Sequence, residues 1–466
     1  MRRKTGFRKG AGFFTLMIGL ILSLIPMRYV QAADRLQDVG DKLVIVIDPG
    51  HGGENQGTIE NNHEEKSMTM VTAWAMYEEL SLYDDVEVHL TRTGDVEKDI
   101  KLADRAAFAD SVEADFLFSI HYNASLNHEL YGAEVWVSAF EPFNGYGYQF
   151  GYEILSDLQE IGLLNRGVKT RLGDSGNYYG IIRESEALGI PAVIIEHCHV
   201  DEARDEGYCD SIEKLQEFGR MDATAVARYF GLKSSVLGVD YSDYQLVNSS
   251  ATAPVPFTVR DETEPDVCQI DPAEVDYETG LLSLTVTAAD YDSTLLYYSY
   301  SIDGGKSFSQ REPWPESDTL TGSYPDTFTL NLTIPTDTKP TVILRAYNMY
   351  DLYTDSNSYI SPERYHYPEP EPEDIIEAVG PAEVGDIGAA DTEESEPGAD
   401  SAGEHSLFGQ EGEKKVSFLS FLVICLVVVF CLFLLLLISQ TIAAINRSKR
   451  MRQRRKELGR KSDQHK

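Results

Sequence analysis

At 466 residues the chain is too long for a single compact core, so two or three domains are expected. Its 76 acidic residues against 40 Lys and Arg give a formal net charge of −36, which excludes nucleic acid as a partner and suits solubility outside the cell. Five cysteines at irregular spacing form no disulfide framework and offer no Cys-x-x-Cys pair for a thiolate zinc site, although a Cys198–Cys209 bridge stays open.

Arg2, Arg3, Lys4, Arg8 and Lys9 precede an apolar stretch from Phe13 to Ile25 and then Val30-Gln31-Ala32-Ala33. That order is the order of a secretory signal peptide, assigned to residues 1–33; an uncleaved anchor is the alternative, but the apolar stretch is short for a membrane span.

Residues 42–232 alternate short apolar runs with helical patterns, the signature of an α/β fold in which a layered sheet is flanked by helices. Strands are predicted at Leu43–Ile47, Val86–Leu90, Phe116–Ile120, Ala133–Val137 and Ala192–Ile195. Helices are predicted at Glu65–Leu80, Asp99–Ala109, Tyr148–Gln159 and Ile212–Tyr229. The first strand breaks abruptly into Asp48-Pro49-Gly50-His51-Gly52-Gly53, a turn in which backbone can crowd a ligand.

From 254 to 361 the period changes to two. Phe328, Leu330, Leu332 and Ile334 alternate with Thr327, Thr329, Asn331 and Thr333, while Tyr298, Tyr300 and Ile302 run into the turn signal Asp303-Gly304-Gly305. The pattern predicts a small all-β sandwich, immunoglobulin-like or fibronectin-like, an architecture that by itself carries no activity. Residues 368–413 open with alternating Pro and Glu and contain few large apolar groups, so they read as an acidic disordered linker with a reach of roughly 40 Å.

Residues 416–438 are apolar, uncharged and long enough to cross a bilayer, and the tail 447–466 is rich in Arg and Lys. By the positive-inside rule the tail is cytoplasmic, and the chain from about Asp34 to Glu413 is extracellular on a single-pass cell-membrane anchor. The acidic excess is larger still between the two basic ends.

A catalytic zinc takes three protein ligands and leaves one position for water. His51 ends the first strand, Glu65 opens the first helix, and His121 follows the apolar run Phe116–Ile120, so both histidines face one sheet edge if the strands are parallel. Glu196 directly follows the apolar strand Ala192–Ile195. A carboxylate there is costly to bury unless something compensates, and a water activated by the metal is such a partner. Glu196 then accepts the proton as general base. Glu64, beside Glu65, leaves the register of the carboxylate ligand open at this level.

These segments together resemble the zinc-dependent N-acetylmuramoyl-L-alanine amidases of the amidase-3 family. Asp48–Gly53 matches the opening motif, with Gly57 as its later glycine. Glu65-Lys66 matches the helix start and assigns the ligand to Glu65. Ser119-Ile120-His121-Tyr122-Asn123-Ala124 matches the second histidine motif and Pro191–Glu196 the catalytic-glutamate strand. Arg105 and the strand Gly132-Ala133-Glu134-Val135 also fall where the family has an arginine and a Gly-x-Glu. The resemblance covers about residues 42–231. It implies that His51, Glu65 and His121 bind Zn2+ and that Glu196 is the base. The implied substrate is peptidoglycan, cut between N-acetylmuramic acid and L-alanine for wall remodelling or turnover.

The chain departs from the family pattern at His197-Cys198-His199, either histidine of which would close the site if it became a fourth ligand; strand alternation turns both away from the face of Glu196. A wall-binding scaffold that keeps the fold without catalysis, and a zinc carboxypeptidase acting on wall peptides, are the alternatives. His63 and His128 are expected on the surface.

Overall fold

The computed structural model describes residues 42–61, 63–94, 98–247 and 260–368. All described residues lie in one compact unit. The expected signal peptide (1–33), membrane helix (416–438) and basic tail (447–466) lie outside the described residues. So do residues 254–259 of the expected sandwich and all of the expected linker except residue 368. Among the described residues no helix is long and apolar enough to cross a membrane.

Six strands form one sheet: β1 (Leu43–Pro49), β2 (Val86–Leu90), β3 (Phe116–Asn123), β4 (Ala133–Val137), β5 (Asn165–Thr170) and β6 (Ala192–His199). Their order is β2-β1-β3-β6-β4-β5, parallel at every pairing except β6 with β4. β1, β3 and β6 are buried almost throughout, as a central parallel sheet covered on both faces requires.

The helices are α1 (Glu65–Leu80), α2 (Leu102–Ser111), α3 (Phe143–Glu160), α4 (Gly180–Ala187), α5 (Ala203–Cys209) and α6 (Ile212–Phe230). Phe116 and Phe118 of β3 turn toward Phe150 of α3 and Phe116 toward Tyr229 and Phe230 of α6. Ser119, one residue on and therefore on the opposite face, shares Asp48 with Arg105 of α2. The sheet thus has helices on both sides.

Several boundaries differ from expectation. β1, β3 and β6 each run two to four residues past their predicted ends, so His121 and Glu196 stand inside paired strands rather than beyond them. The pairing of β3 with β6 supplies the ladder that sequence alone did not reveal. The helix predicted at Asp99–Ala109 starts only at Leu102, because the Asp99 carboxylate is held in the preceding turn by Arg105 and Asn55. The helix predicted at Tyr148–Gln159 begins earlier, at Phe143, through glycines whose low helix propensity is overridden by packing. β5, α4 and α5 were not anticipated. β5 reads Asn-Arg-Gly-Val-Lys-Thr, a polar string, yet all six residues are buried.

The second part is two antiparallel sheets. β7 (Val267–Asp276), β8 (Leu281–Ala289) and β10 (Thr327–Thr333) form one; β9 (Leu295–Ser301), β11 (Thr341–Asn348) and β12 (Tyr353–Asp355) form the other with short edge pairings. Leu330, Leu332, Val342, Leu344 and Ala346 fill the core between them with Trp314, and the intervening threonines of β10 face solvent. The Asp303 turn is stabilised by its own carboxylate, which accepts from the amides of Lys306 and Ser307; the chain returns to β9 only at Glu312–Pro313.

The sandwich shares its interior with the α/β layer. Leu320, Met349 and Tyr350 join the α/β core, and Tyr131 packs with Leu296, Tyr297 and Tyr347. Arg166 of β5, 1% exposed, donates to Tyr297 Oη at 2.6 Å and to Asp351 at 2.8 Å.

Candidate metal centre and active site

The site is built where parallel strands end and α1 begins. Asp48, buried at the end of β1, accepts from Arg105 Nη1 at 2.7 Å and from Ser119 Oγ at 2.9 Å. The same guanidinium donates to the carbonyl oxygens of Pro49 (2.8 Å) and His51 (2.6 Å), so one buried ion pair fixes the backbone of the Pro-Gly-His turn. Arg92 adds donors to the carbonyls of Pro49 and Gly50. Within this turn His51 takes a positive φ of 61°.

Side-chain access explains two of the glycines. A Cβ on Gly50 would lie 2.4 Å from Cε1 of His121, and one on Gly57, at φ +69°, would lie 2.5 Å from Oε2 of Glu65. Both places are kept bare so that these side chains can converge.

His51, Glu65 and His121 do converge, with donor atoms all within 4.8 Å of one another. Glu65 is buried at the first turn of α1. Its Oε1 lies 3.0 Å from His51 Nε2 and 3.1 Å from His121 Nδ1 and also accepts from the amide of Tyr122; its Oε2 accepts from the amide of Thr58 at 2.9 Å. Glu64 turns elsewhere, to Ser67 and Lys66.

The hydrogen bonds around His51 test whether a cation suits these groups. Asn55 gives its Nδ2 to Asp99, so the atom 3.0 Å from His51 Nδ1 is an oxygen. Nδ1 therefore carries the proton and donates, leaving Nε2 as the lone-pair face toward Glu65 Oε1. Two lone pairs at 3.0 Å repel unless a proton or a metal ion lies between them. Burial favours the neutral ring, but the hydrogen bond and charge of Glu65, with Asn55, hold the His51 pKa above its ordinary value. Burial likewise opposes the charge on Glu65, yet the two imidazoles keep it well below the usual carboxylate range. Two imidazoles and one carboxylate are a donor set that fits zinc.

Glu196 pairs in register with His121 on β3 and with Glu134 on β4. Its Oε2 is buried with no hydrogen-bond partner among the described residues. Burial, reinforced by the charges of Glu65 and Glu134, pushes its carboxyl well above the usual range. A polar atom left unpaired at that depth marks a place built for something that arrives.

The two neighbouring histidines are occupied elsewhere. His197 Nε2 pairs with buried Asp222 and its Nδ1 lies 3.2 Å from the His121 carbonyl, while His199 Nδ1 lies 3.0 Å from the Gly132 carbonyl. Neither joins the His51, Glu65 and His121 group, but simple alternation fails for His199: the register of β6 shifts after Glu196, and His199 lines the same cavity as Glu196. Cys198 and Cys209 are buried free thiols. His128 is exposed as expected, but His63 is half-buried.

Glu134, Arg166 and Lys169 were missed as a unit. Glu134 Oε2 accepts from Lys169 Nζ at 2.7 Å and Arg166 Nε at 2.8 Å, while Oε1 accepts from Asn123 and Trp136. Burial opposes its charge, but Lys169 and Arg166 hold it well below the carboxylate range. The sequence signals were the match of Glu134 to the family's Gly-x-Glu strand and a glutamate inside an apolar strand, which demands buried cations from somewhere; neither names Arg166 or Lys169.

The profile of the N-acetylmuramoyl-L-alanine amidase family (amidase-3) matches residues 45–228, ending before the sandwich. N-acetylmuramoyl-L-alanine amidase CwlM of Bacillus licheniformis is 32% identical over 194 residues, 41% of this chain and 70% of the relative. The sporulation-specific N-acetylmuramoyl-L-alanine amidase of Bacillus subtilis is 30% identical over 194 residues, 41% of this chain and 69% of the relative. A solved N-acetylmuramoyl-L-alanine amidase from Clostridium difficile 630 is 27% identical, with a TM-score of 0.36, covering 41% of this chain and 97% of its own.

Proposed function

The chain belongs to the N-acetylmuramoyl-L-alanine amidase family, and on that premise we propose that it is a zinc hydrolase of the bond between N-acetylmuramic acid and L-alanine. In this reading His51, Glu65 and His121 hold the ion and Glu196 is the general base. The observation that carries it is the meeting of three metal-type donors within 4.8 Å beside a buried, unpartnered carboxylate oxygen on the adjoining strand.

A bound zinc ion would supply Lewis acidity toward the scissile carbonyl and lower the pKa of water. The chain's own groups do the rest. Arg105 and Asp48 fix the turn that presents His51, and Asn55 holds that imidazole as the Nδ1–H tautomer. Glu65 is oriented by the amides of Thr58 and Tyr122. Glu196 takes the proton from the attacking water and returns it to the departing alanine nitrogen; general acid–base help of this kind contributes about 10²–10⁴-fold.

The proposed location is the outer face of the cell membrane, with wall turnover or remodelling as the role. Its support is the order of a signal-like start, an acidic spacer, the apolar segment 416–438 and a basic tail. Protease added to intact wall-stripped cells should then digest the α/β part; full protection would reverse the topology.

Digestion of purified muropeptides, with products weighed, tests the activity. Free stem peptide released from intact glycan supports the amidase. Loss of only terminal residues would instead make the chain a carboxypeptidase, and no change with zinc bound would make it a scaffold.

A further inference from the structure

Beside Glu196 lies a cavity of about 250 Å3 whose walls come from both parts of the fold. Glu196, Lys169 and Arg171 line it from the α/β layer; Arg260, Tyr350 and Asp351 line it from the sandwich. Whatever enters it therefore touches the candidate base on one side and a part of the chain beyond the family match on the other.

The charge of this cavity opposes that of the chain. In a molecule of net charge −36, four cations (Arg166, Lys169, Arg171 and Arg260) meet three carboxylates (Glu134, Glu196 and Asp351) here, which leaves the lining cationic. Two of them are already matched: Glu134 takes Lys169 and Arg166, and Asp351 takes Arg166 as well. The other two are not. Arg171 lies over the Tyr178 ring, 3.5 Å from its centroid, and Arg260 over that of Tyr350 at 5.8 Å, and neither forms an ion pair with a carboxylate among the described residues. Arg260 Nε is moreover buried without a hydrogen-bond partner. An unmatched guanidinium facing a cavity is an anion site in waiting, and its planar fork favours a carboxylate.

The sandwich wall is held in place. Arg166 reaches Tyr297 and Asp351, Thr319 Oγ1 donates to Asn165 Oδ1 at 2.9 Å, and Met349 packs against Gly167. Asp261, next to Arg260, accepts from Asn348 Nδ2, two residues before Tyr350. A subsite framed this firmly loses little entropy when filled.

We propose that the sandwich completes the substrate cleft, with Arg260 and Arg171, one from each part of the fold, forming a carboxylate subsite for an acidic residue of the stem peptide. Tyr350 closes the subsite beside Arg260. This deepens the amidase reading and rests on it for the identity of the peptide. The sandwich is thereby a specificity element rather than a spacer.

The test uses the full zinc-loaded chain and two muropeptides that differ only in whether the acidic stem residue nearest the cut carries a free carboxylate or a carboxamide. The parent should favour the free acid in kcat/KM by about tenfold or more, the usual worth of a charge-assisted hydrogen bond. Arg260→Gln should bring the ratio near unity through a rise in KM for the acid, while Arg260→Lys should restore part of it. Thermal unfolding and zinc content, matched between parent and both variants, exclude misfolding as the cause. Binding of the uncleaved pair to Glu196→Gln protein, with and without Arg260→Gln, separates this inference from the reading beneath it. Arg260-dependent preference for the acid in binding upholds the subsite even if the parent releases no stem peptide. Equal handling of acid and amide by the parent, or a preference that survives in Arg260→Gln, would overturn it.

Discussion

Glu196 and His121 stand opposite each other in register on two parallel strands, β6 and β3. Register across a parallel pair is rigid, so the distance between the candidate base and one metal-type ligand is set by the sheet rather than by a loop. Glu65 joins from the first turn of α1, and His51 from a turn clamped by Arg105. These four groups thus hang from β6, β3, α1 and the turn after β1, whose relative positions the core fixes.

Glu196→Gln should retain zinc and lose turnover by about 10²-fold or more, as expected when a general base is removed. His51→Ala and His121→Ala should lose both zinc and turnover. Metal analysis beside stem-peptide release checks this, and a Glu196→Gln protein that works at the parent rate would remove the base.

The bare positions make a sharper steric prediction. Gly57→Ala places a methyl 2.5 Å from Glu65 Oε2 at a φ of +69°, and Gly50→Ala places one 2.4 Å from His121 Cε1. Each should weaken zinc binding by about tenfold to a hundredfold, the usual effect of disturbing the support of a ligand. Gly207→Ala, with nothing within 4 Å, should leave zinc affinity unchanged. Competition against a chromophoric chelator measures all three.

Arg105→Met should destabilise the fold by about 3–5 kcal/mol, because it strands the buried Asp48 carboxylate. It should weaken zinc binding too, since the His51 carbonyl loses its Arg105 donor and the Pro49 carbonyl keeps only Arg92. Denaturant unfolding and zinc titration give the two numbers independently; a variant as stable as the parent would deny the ion pair its structural role.

Acid should unfold the protein partly through His199. Burial first, and Arg166 second, push its pKa down to about 4 from an ordinary value of 6.5. Between those values the unfolded chain binds a proton that the folded chain refuses, so stability falls as pH falls and levels off below about 4. The contribution is roughly 3 kcal/mol. His199→Asn, which keeps a donor for the Gly132 carbonyl, should flatten the stability difference between pH 7 and pH 4 by about that amount.

Much of this was legible in the chain. The β-branched run ending in Asp48–Gly53 named its own strand and turn, and the Glu65–Leu80 helix matches in both bounds because its start and its apolar spacing agree. What stayed hidden depends on partners distant in sequence. The extension of β3 and β6 through His121 and Glu196 comes from their mutual pairing, and β5 is a polar string made into a buried strand by Glu134, Tyr297 and Asp351. Strand alternation already turns His197 away from the site, but its partner Asp222, twenty-five residues on, is not legible in the chain. The shared wall around Arg260 could not be read at all, since period-two alternation identifies a sheet but not what its loops touch.

The most direct measurement is to return zinc to the chelator-stripped full chain while following stem-peptide release from purified muropeptides. Release should rise in proportion to zinc until one ion per chain is bound, and Glu196→Gln should bind the same ion and release stem peptide more slowly by about 10²-fold or more. Full release from the metal-free chain, or one bound zinc with no release from the parent, would contradict the assignment of His51, Glu65, His121 and Glu196.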